Sequence, residues 1–238
     1  MDAPESPVRV EGLCITRGGH QLYRSFSVAF AAGTVTAIIA ASGRGKTTLL
    51  DCIARLLTPD AGRVTAPFRV AYLFQEPLLL PWRTVRENVL LVSDGPEAAR
   101  CLALSGLTDK SARYPAELSG GEQQRAAFAR ALACRAPVML LDEAFQSLDV
   151  PVKLAMMEQT RIHIAARART AILVTHDIRE ALCLAARILV LTGEPVTIAR
   201  DLAIPVIPVG EPLAERYIRP PPEIAEIEAD ILGVLKTH

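Results

Sequence analysis

Ala40-Ala41-Ser42-Gly43-Arg44-Gly45-Lys46-Thr47-Thr48 is the stretch on which the fold turns. Just before it, Val35 to Ile39 is a short β-branched, apolar run that predicts a strand. After it, Leu49, Leu50, Ile53, Leu56 and Leu57 recur at helical spacing until Thr58-Pro59-Asp60-Ala61-Gly62 supplies breakers. Strand, glycine-bearing loop, helix is the context in which backbone N–H groups and a helix amino terminus converge on phosphate oxygens. Gly43 and Gly45 shape such a loop, Lys46 adds a point charge, and the Thr47 hydroxyl suits Mg²⁺. The strict spacing G-x-x-x-x-G-K-[ST] asks for glycine where this chain has Ala40, a departure that matters if position 40 needs a positive φ. In isolation the same residues also fit a Gly-Lys-Thr turn that binds nothing.

Working outward, Val8 to Ile15, the Gly18-Gly19 turn, Phe26 to Phe30 and the Ala32-Gly33 turn alternate β-rich runs with turn signals. Val70 to Phe74 predicts another strand, ending at Gln75. Residues 77–117 are mixed, with helices predicted near Val85 to Val92 and Pro96 to Ser105, and read as a helical insertion. A strong helix pattern covers Gly120 to Ala133; the apolar runs Val138 to Leu141, Ala171 to Val174 and Ile188 to Leu191 follow, separated by helical stretches. Strands alternating with helices imply a largely parallel sheet in an α/β fold. Prolines punctuate the tail, which ends with Ile224, Ile227, Ile231 and Leu235 on one face of an amphipathic helix. That stripe permits regulation, dimerisation or packing across the domain.

Half of the 238 residues are apolar, enough for the core of one nucleotide-binding unit with an insertion. Acidic and basic residues number 26 each, with no long run of like charge, so broad electrostatic capture of nucleic acid or anionic lipid is disfavoured. Cys14, Cys52, Cys101, Cys134 and Cys183 are scattered and lack any C-x-x-C, which fits a reducing cytoplasm rather than a disulfide framework or a zinc site. Met1 to Pro7 has no basic stretch followed by an apolar one, so export is not expected. The most apolar region, Val28 to Ala41, is broken and too short for a membrane span, and any membrane role is expected through a partner.

A second constellation lies about a hundred residues downstream. Val138 to Leu141 leads into Asp142-Glu143, an apolar strand ending in two carboxylates. One acid would orient the Mg²⁺ shell and the other would activate water for attack on a γ-phosphate, although a strand end or helix cap reads the same in isolation. Before this strand stands Leu118-Ser119-Gly120-Gly121-Glu122; after it come Ser147-Leu148-Asp149 and Val174-Thr175-His176-Asp177. With the phosphate loop and Gln75, these segments in this order resemble the ATP-binding cassette (ABC) family over residues 8 to 200.

The resemblance implies a P-loop NTPase cassette with a mostly parallel central sheet, an antiparallel β subdomain and a helical insertion subdomain. Residues 1–238 would form one domain: 8–75 and 138–204 the catalytic core, 76–137 the helical subdomain with the signature helix, and 205–238 a C-terminal extension. It implies ATP and Mg²⁺, held by Ser42, Gly43, Arg44, Gly45, Lys46, Thr47 and Thr48, with Thr47, Gln75 and Asp142 toward the metal. Glu143 would be the general base, His176 would hold it and the water in line, and Gln75 would report nucleotide state to the insertion. Such cassettes dimerise head to tail, which would bring Ser119, Gly120 and Gly121 to the γ-phosphate of the partner's ATP; a small hydroxyl and glycines at a helix start suit an anion, and they equally suit a simple cap. Thr16-Arg17 stands where an adenine-stacking aromatic is usual, and Arg17 offers a guanidinium plane instead. Ala144 and Gln146 also depart from the pattern and are expected to matter little.

Gln75-Glu76-Pro77-Leu78-Leu79-Leu80-Pro81-Trp82 further resembles cassettes of bacterial importers for nitrate, sulfonate and taurine. That likeness implies a homodimer or cassette heterodimer at the cytoplasmic face of the inner membrane, an integral-membrane permease and, indirectly, an external solute-binding protein. Leu78, Leu79, Leu80 and Trp82 interrupted by Pro81 make a poor helix, so part of this run is expected to anchor and part to dock. A soluble cassette acting on nucleic acid or ribosomes is the alternative, against which stands the lack of a second cassette, a coiled-coil insertion or a basic linker. A degenerate cassette is a third reading, opposed by Lys46, Asp142, Glu143 and His176.

Overall fold

The computed structural model describes residues 7–146 and 148–236. Met1 to Ser6, read above for an export signal, and Ser147 of the Ser147-Leu148-Asp149 segment lie outside the described residues. The strands are β1 (Val8–Arg17), β2 (His20–Phe30), β3 (Val35–Ile39), β4 (Ala61–Thr65), β5 (Val70–Leu73), β6 (Val138–Asp142), β7 (Thr170–Thr175), β8 (Arg187–Thr192) and β9 (Thr197–Ala203). The helices are α1 (Lys46–Ile53), α2 (Val85–Leu90), α3 (Gly95–Leu104), α4 (Gly120–Ala133), α5 (Val150–Ala166), α6 (Ile178–Leu184), α7 (Leu213–Ile218) and α8 (Pro222–Lys236). Among the described residues no helix is long and apolar enough to cross a membrane.

The main sheet runs β5-β6-β7-β3-β8-β9, parallel throughout except for the antiparallel β8–β9 pair. β3, β6 and β7 are buried at every position, as expected of parallel strands covered on both faces. Alternate residues feed two cores. Ala37, Ile39, Leu141 and Leu173 face helices α2 to α8, whereas Ile38, Leu140, Ile172 and Val174 face α1 and the antiparallel sheet β2-β1-β4. Both functional strand ends, at Ile39 and Asp142, therefore leave the middle of the sheet side by side with β7 between them.

Several expected boundaries move. β2 begins at His20, earlier than Phe26. α1 stops at Ile53: Arg55 takes a left-handed φ of 61° and Leu56 is exposed, so the last two leucines of the periodic run are not helical. Ala61-Gly62, read as breakers, open β4, which pairs with β1. The tail's apolar stripe lies against the domain: Ile224 and Ile231 are buried in the helix-side core, with Ile227 and Leu235 packed on its edge. All five thiols are free, and burial pushes those of Cys52 and Cys101 up to about 11.

Candidate functional site

The chain leaves β3 at Ile39 and turns into α1 through the glycine-bearing loop. Left-handed backbone falls on Gly43 (φ 77°) and Gly45 (φ 73°), not on Ala40. What position 40 contributes is its carbonyl: Lys46 Nζ donates to the carbonyl oxygens of Ala40 at 2.8 Å and Ala41 at 3.0 Å. Alanine supplies that oxygen as well as glycine would. Gly45 is constrained twice over, since a Cβ there would lie 2.8 Å from Leu22 Cδ2 and 3.0 Å from the Tyr23 ring. The Tyr23 hydroxyl, wholly buried, donates to the Gly45 carbonyl at 2.9 Å and braces the loop from β2. Nothing in the local sequence around Tyr23 signals that role, because it depends on β2 crossing behind the loop.

Lys46 is buried beside two carboxylates. Burial pushes its ammonium below the usual lysine range, opposed by Glu143 and Asp142. Asp142, at the end of β6, accepts the Thr47 hydroxyl on Oδ2 at 2.7 Å, while its buried Oδ1 has no hydrogen-bond partner among the described residues. Burial, above all, raises the Asp142 carboxyl. An unsatisfied, desolvated carboxylate oxygen next to a threonine hydroxyl is a place where a cation is favourable. One carboxylate, one hydroxyl and the nearby Gln75 amide suit Mg²⁺, which keeps water and takes substrate phosphates as ligands rather than needing an all-protein cage.

Glu143 follows in a left-handed turn (φ 48°) fixed by its N–H, which donates to the Val174 carbonyl at 2.9 Å. That turn aims its carboxylate at His176, whose Nδ1 lies 2.8 Å from Glu143 Oε2 and whose backbone N–H donates to the same oxygen at 3.4 Å. With Glu143 ionised the carboxylate only accepts, so the ring carries its proton on Nδ1 and presents Nε2 outward. Gln75 Nε2 donates to Gln146 Oε1 at 3.2 Å. Gln146, expected to matter little, thus orients the glutamine and lines the same cleft.

The cleft has a volume of about 980 Å³. Ser42 to Thr48, Gln75, Asp142, Glu143 and His176 all line it, so the structure gathers these sequence-predicted residues in one place. Arg17, His20 and Arg24 also line it, with Glu194 and Pro195 from the β8–β9 turn. Glu194 pairs with the Arg44 guanidinium at 2.7 Å, an anchor that local sequence does not reveal.

Ser119, Gly120 and Gly121 are not part of this cleft. They begin α4, where Ser119 caps the helix by accepting from the Glu122 N–H and the Glu122 carboxylate accepts from the Ser119 N–H at 2.9 Å. Lys110 pairs with the same carboxylate. The capping expectation therefore holds within the single chain. Farther along α4, Arg130 donates to the carbonyls of Leu78 at 2.9 Å and Pro77 at 3.0 Å, tying the segment after Gln75 to this helix. The buried Asn88 side chain grips the same segment through both the N–H and carbonyl of Leu80. So held, Leu79 packs on the core, whereas Leu78 and Trp82 are 52% and 70% exposed.

Comparison with known proteins agrees with this geometry. The family described as ABC transporter matches residues 23–146. Aliphatic sulfonates import ATP-binding protein SsuB 2 of Streptomyces avermitilis is 41% identical over 83% of this chain and 80% of its own length. Aliphatic sulfonates import ATP-binding protein SsuB of Rhodopseudomonas palustris is 39% identical over 94% of this chain and 81% of its own. Among solved structures, a dimeric ATP-binding cassette in a post-hydrolysis state bound to ADP and Pi superposes with a TM-score of 0.75 at 26% identity, over 83% of this chain and 99% of that one. A phosphate loop that needs no glycine at position 40 and a family match on both sequence and fold lead to one conclusion: the chain belongs to the ABC transporter family.

Proposed function

We propose that this chain is the ATP-hydrolysing subunit of an importer for a small organic anion of the sulfonate class, working as a dimer on a separate membrane permease at the cytoplasmic face. The observation that carries hydrolysis is the Glu143–His176 pair, 2.8 Å apart and facing the same cleft as Lys46, Thr47 and Asp142. The phosphate-loop N–H groups and Lys46 bind the β- and γ-phosphates, and Thr48 lies toward the α-phosphate. Thr47, Asp142 and Gln75 hold Mg²⁺, which when bound neutralises developing phosphate charge. Glu143 takes the proton of the attacking water, and His176 keeps that carboxylate in line. Ser119, Gly120 and Gly121 act on the nucleotide of the partner subunit, for which their distance from their own cleft is the supporting feature.

In this reading residues 76–137 form the helical subdomain, with 8–75 and 138–204 the catalytic core and 205–238 an extension. The exposed Leu78 and Trp82, held by Arg130 and Asn88, form the docking surface for the permease. The sulfonate class is supported by the names of the relatives; an external binding protein would deliver the solute. Glu143→Gln is expected to keep ATP binding while lowering turnover roughly 10²- to 10⁴-fold, the usual contribution of a general base. Measured on protein purified from gently solubilised membranes, the same sample identifies the partner. A multi-span permease supports the importer, whereas a purely ribosomal or repair-protein catch refutes it.

A further inference from the structure

The loop that carries His176 is held from behind by residues far away in the chain. Thr175 Oγ1 donates to Glu180 Oε2 at 2.6 Å and accepts from the Asp177 N–H at 3.0 Å. Asp177 Oδ1 caps α6, accepting from the N–H groups of Arg179 at 2.9 Å and Glu180 at 3.3 Å. Its second oxygen, Oδ2, accepts from Lys153 Nζ at 3.1 Å and from the Tyr217 hydroxyl at 3.0 Å. Lys153, in the first turn of α5, also pairs with Glu180 at 2.6 Å, and its ammonium lies 5.8 Å from the centroid of the Tyr217 ring. Arg179 completes the brace by pairing with Glu228 of α8 at 3.0 Å and donating to the Tyr217 carbonyl at 3.2 Å.

Asp177 adjoins the histidine that contacts Glu143, so whatever fixes Asp177 fixes the backbone from which His176 projects. One ammonium, Lys153, is shared between two carboxylates, Asp177 and Glu180. The neutral Tyr217 donor fills the remaining acceptor need of Asp177 and covers the ammonium with its ring. Without that hydroxyl, Asp177 Oδ2 keeps only the shared Lys153 ammonium, which already lies closer to Glu180, and the Asp177 cap loosens. A catalytic pair depends on such support, since displacement by 1 Å costs about 10²-fold in rate.

We propose that Tyr217, contributed by helix α7 of the C-terminal segment, is a positioning residue for the Glu143–His176 pair, acting through Asp177 and Lys153. The proposal rests on the hydrolytic reading above and gives the C-terminal segment a part in turnover that neither its own sequence nor the cleft assigns.

Tyr217→Phe removes only the hydroxyl and leaves the ring over Lys153. In the full chain it is expected to lower kcat about 3- to 30-fold, within the range set by small misplacements, with KM and ATP affinity unchanged. The chain has four histidines, so ring-labelled NMR resolves them, and loss of a signal in His176→Gln assigns His176. Tyr217→Phe is expected to move that His176 signal and to leave His20 and His163 in place. An unmoved His176 signal, or an unchanged kcat while the wild type turns over, overturns the proposal. A kcat loss matched by an equal loss of ATP affinity assigns Tyr217 to the fold alone and also overturns it. If the wild type does not hydrolyse ATP yet the His176 signal moves, the structural link stands and the hydrolytic reading falls.

Discussion

Gly45 and Gly121 each stand at the start of a helix, one before α1 and one in the first turn of α4. At Gly45 the chain itself explains the glycine: φ is left-handed and a Cβ would strike Leu22 and Tyr23. At Gly121 it does not, for the backbone is ordinary and a Cβ would meet only Leu148 Cδ2, at 3.9 Å; at Gly120 it would meet nothing within 4 Å. Alanine would make a better helix at both positions. The glycine of the first loop is thus accounted for within one folded chain, whereas those of the second are not, and under the proposed dimer they leave room for the partner subunit's nucleotide. A surface kept bare at some cost to helix stability is what a close-fitting second molecule requires.

The largest test of this contrast is Gly45→Ala. A side chain in left-handed backbone costs about 1–2 kcal/mol, and overpacking adds roughly 1–3 kcal/mol. Calorimetry should show a clear fall in Tm together with loss of ATP binding; normal binding would mean the loop adapts and the contrast is false. Gly121→Ala should do the opposite. Its Tm is expected to hold or rise, by up to about 1 kcal/mol of helix propensity, and its nucleotide affinity as a lone chain to stay at the wild-type value, while turnover falls roughly 10²-fold, the effect of a displacement of about 1 Å. A fall in Tm with unchanged turnover would break the comparison from the other side.

The smallest effect concerns the capping box at the start of α4. The hydrogen bond from Lys110, and then that from the Ser119 N–H, hold the Glu122 carboxyl down to about 2 from its ordinary 4.5. Because the folded value is the lower one, the stabilisation is complete above about 4.5 and is lost as pH falls through about 2. A carboxyl-carbon NMR titration, with Glu122 assigned by its absence in Glu122→Gln, should show Glu122 still ionised at pH 3. Titration near 4.5 would mean that the cap does not persist in solution.

The central strands were legible in the sequence because β3, β6 and β7 are buried on both faces and so read as unbroken apolar runs. β4 and β9 were not. β4 is exposed along most of its length and begins with Ala61-Gly62, and β9 carries Arg200 and Asp201 on the sheet's edge, so neither has an apolar pattern to find. The site divides in the same way. Ser42 to Thr48, Asp142, Glu143 and His176 sit in short segments whose spacing carries the chemistry. Tyr23 braces the phosphate loop, and Gln146 and Glu194 line the cleft, from separate elements and through contacts that exist only after folding. Ala40 is instructive in the opposite sense: the spacing rule marks it as a defect, but the geometry asks that position only for a carbonyl.

Glu143 stands in left-handed backbone, at a cost of about 1–2 kcal/mol for a residue with a side chain. Glycine would relieve that cost and erase the carboxylate. Under the proposed function, heat resistance and turnover therefore make opposite demands on one codon. A library randomised at position 143 and challenged only by heating should drift toward glycine, while the same library challenged by growth on the proposed solute should retain glutamate. The identity of that single residue records which of the two pressures the chain has answered.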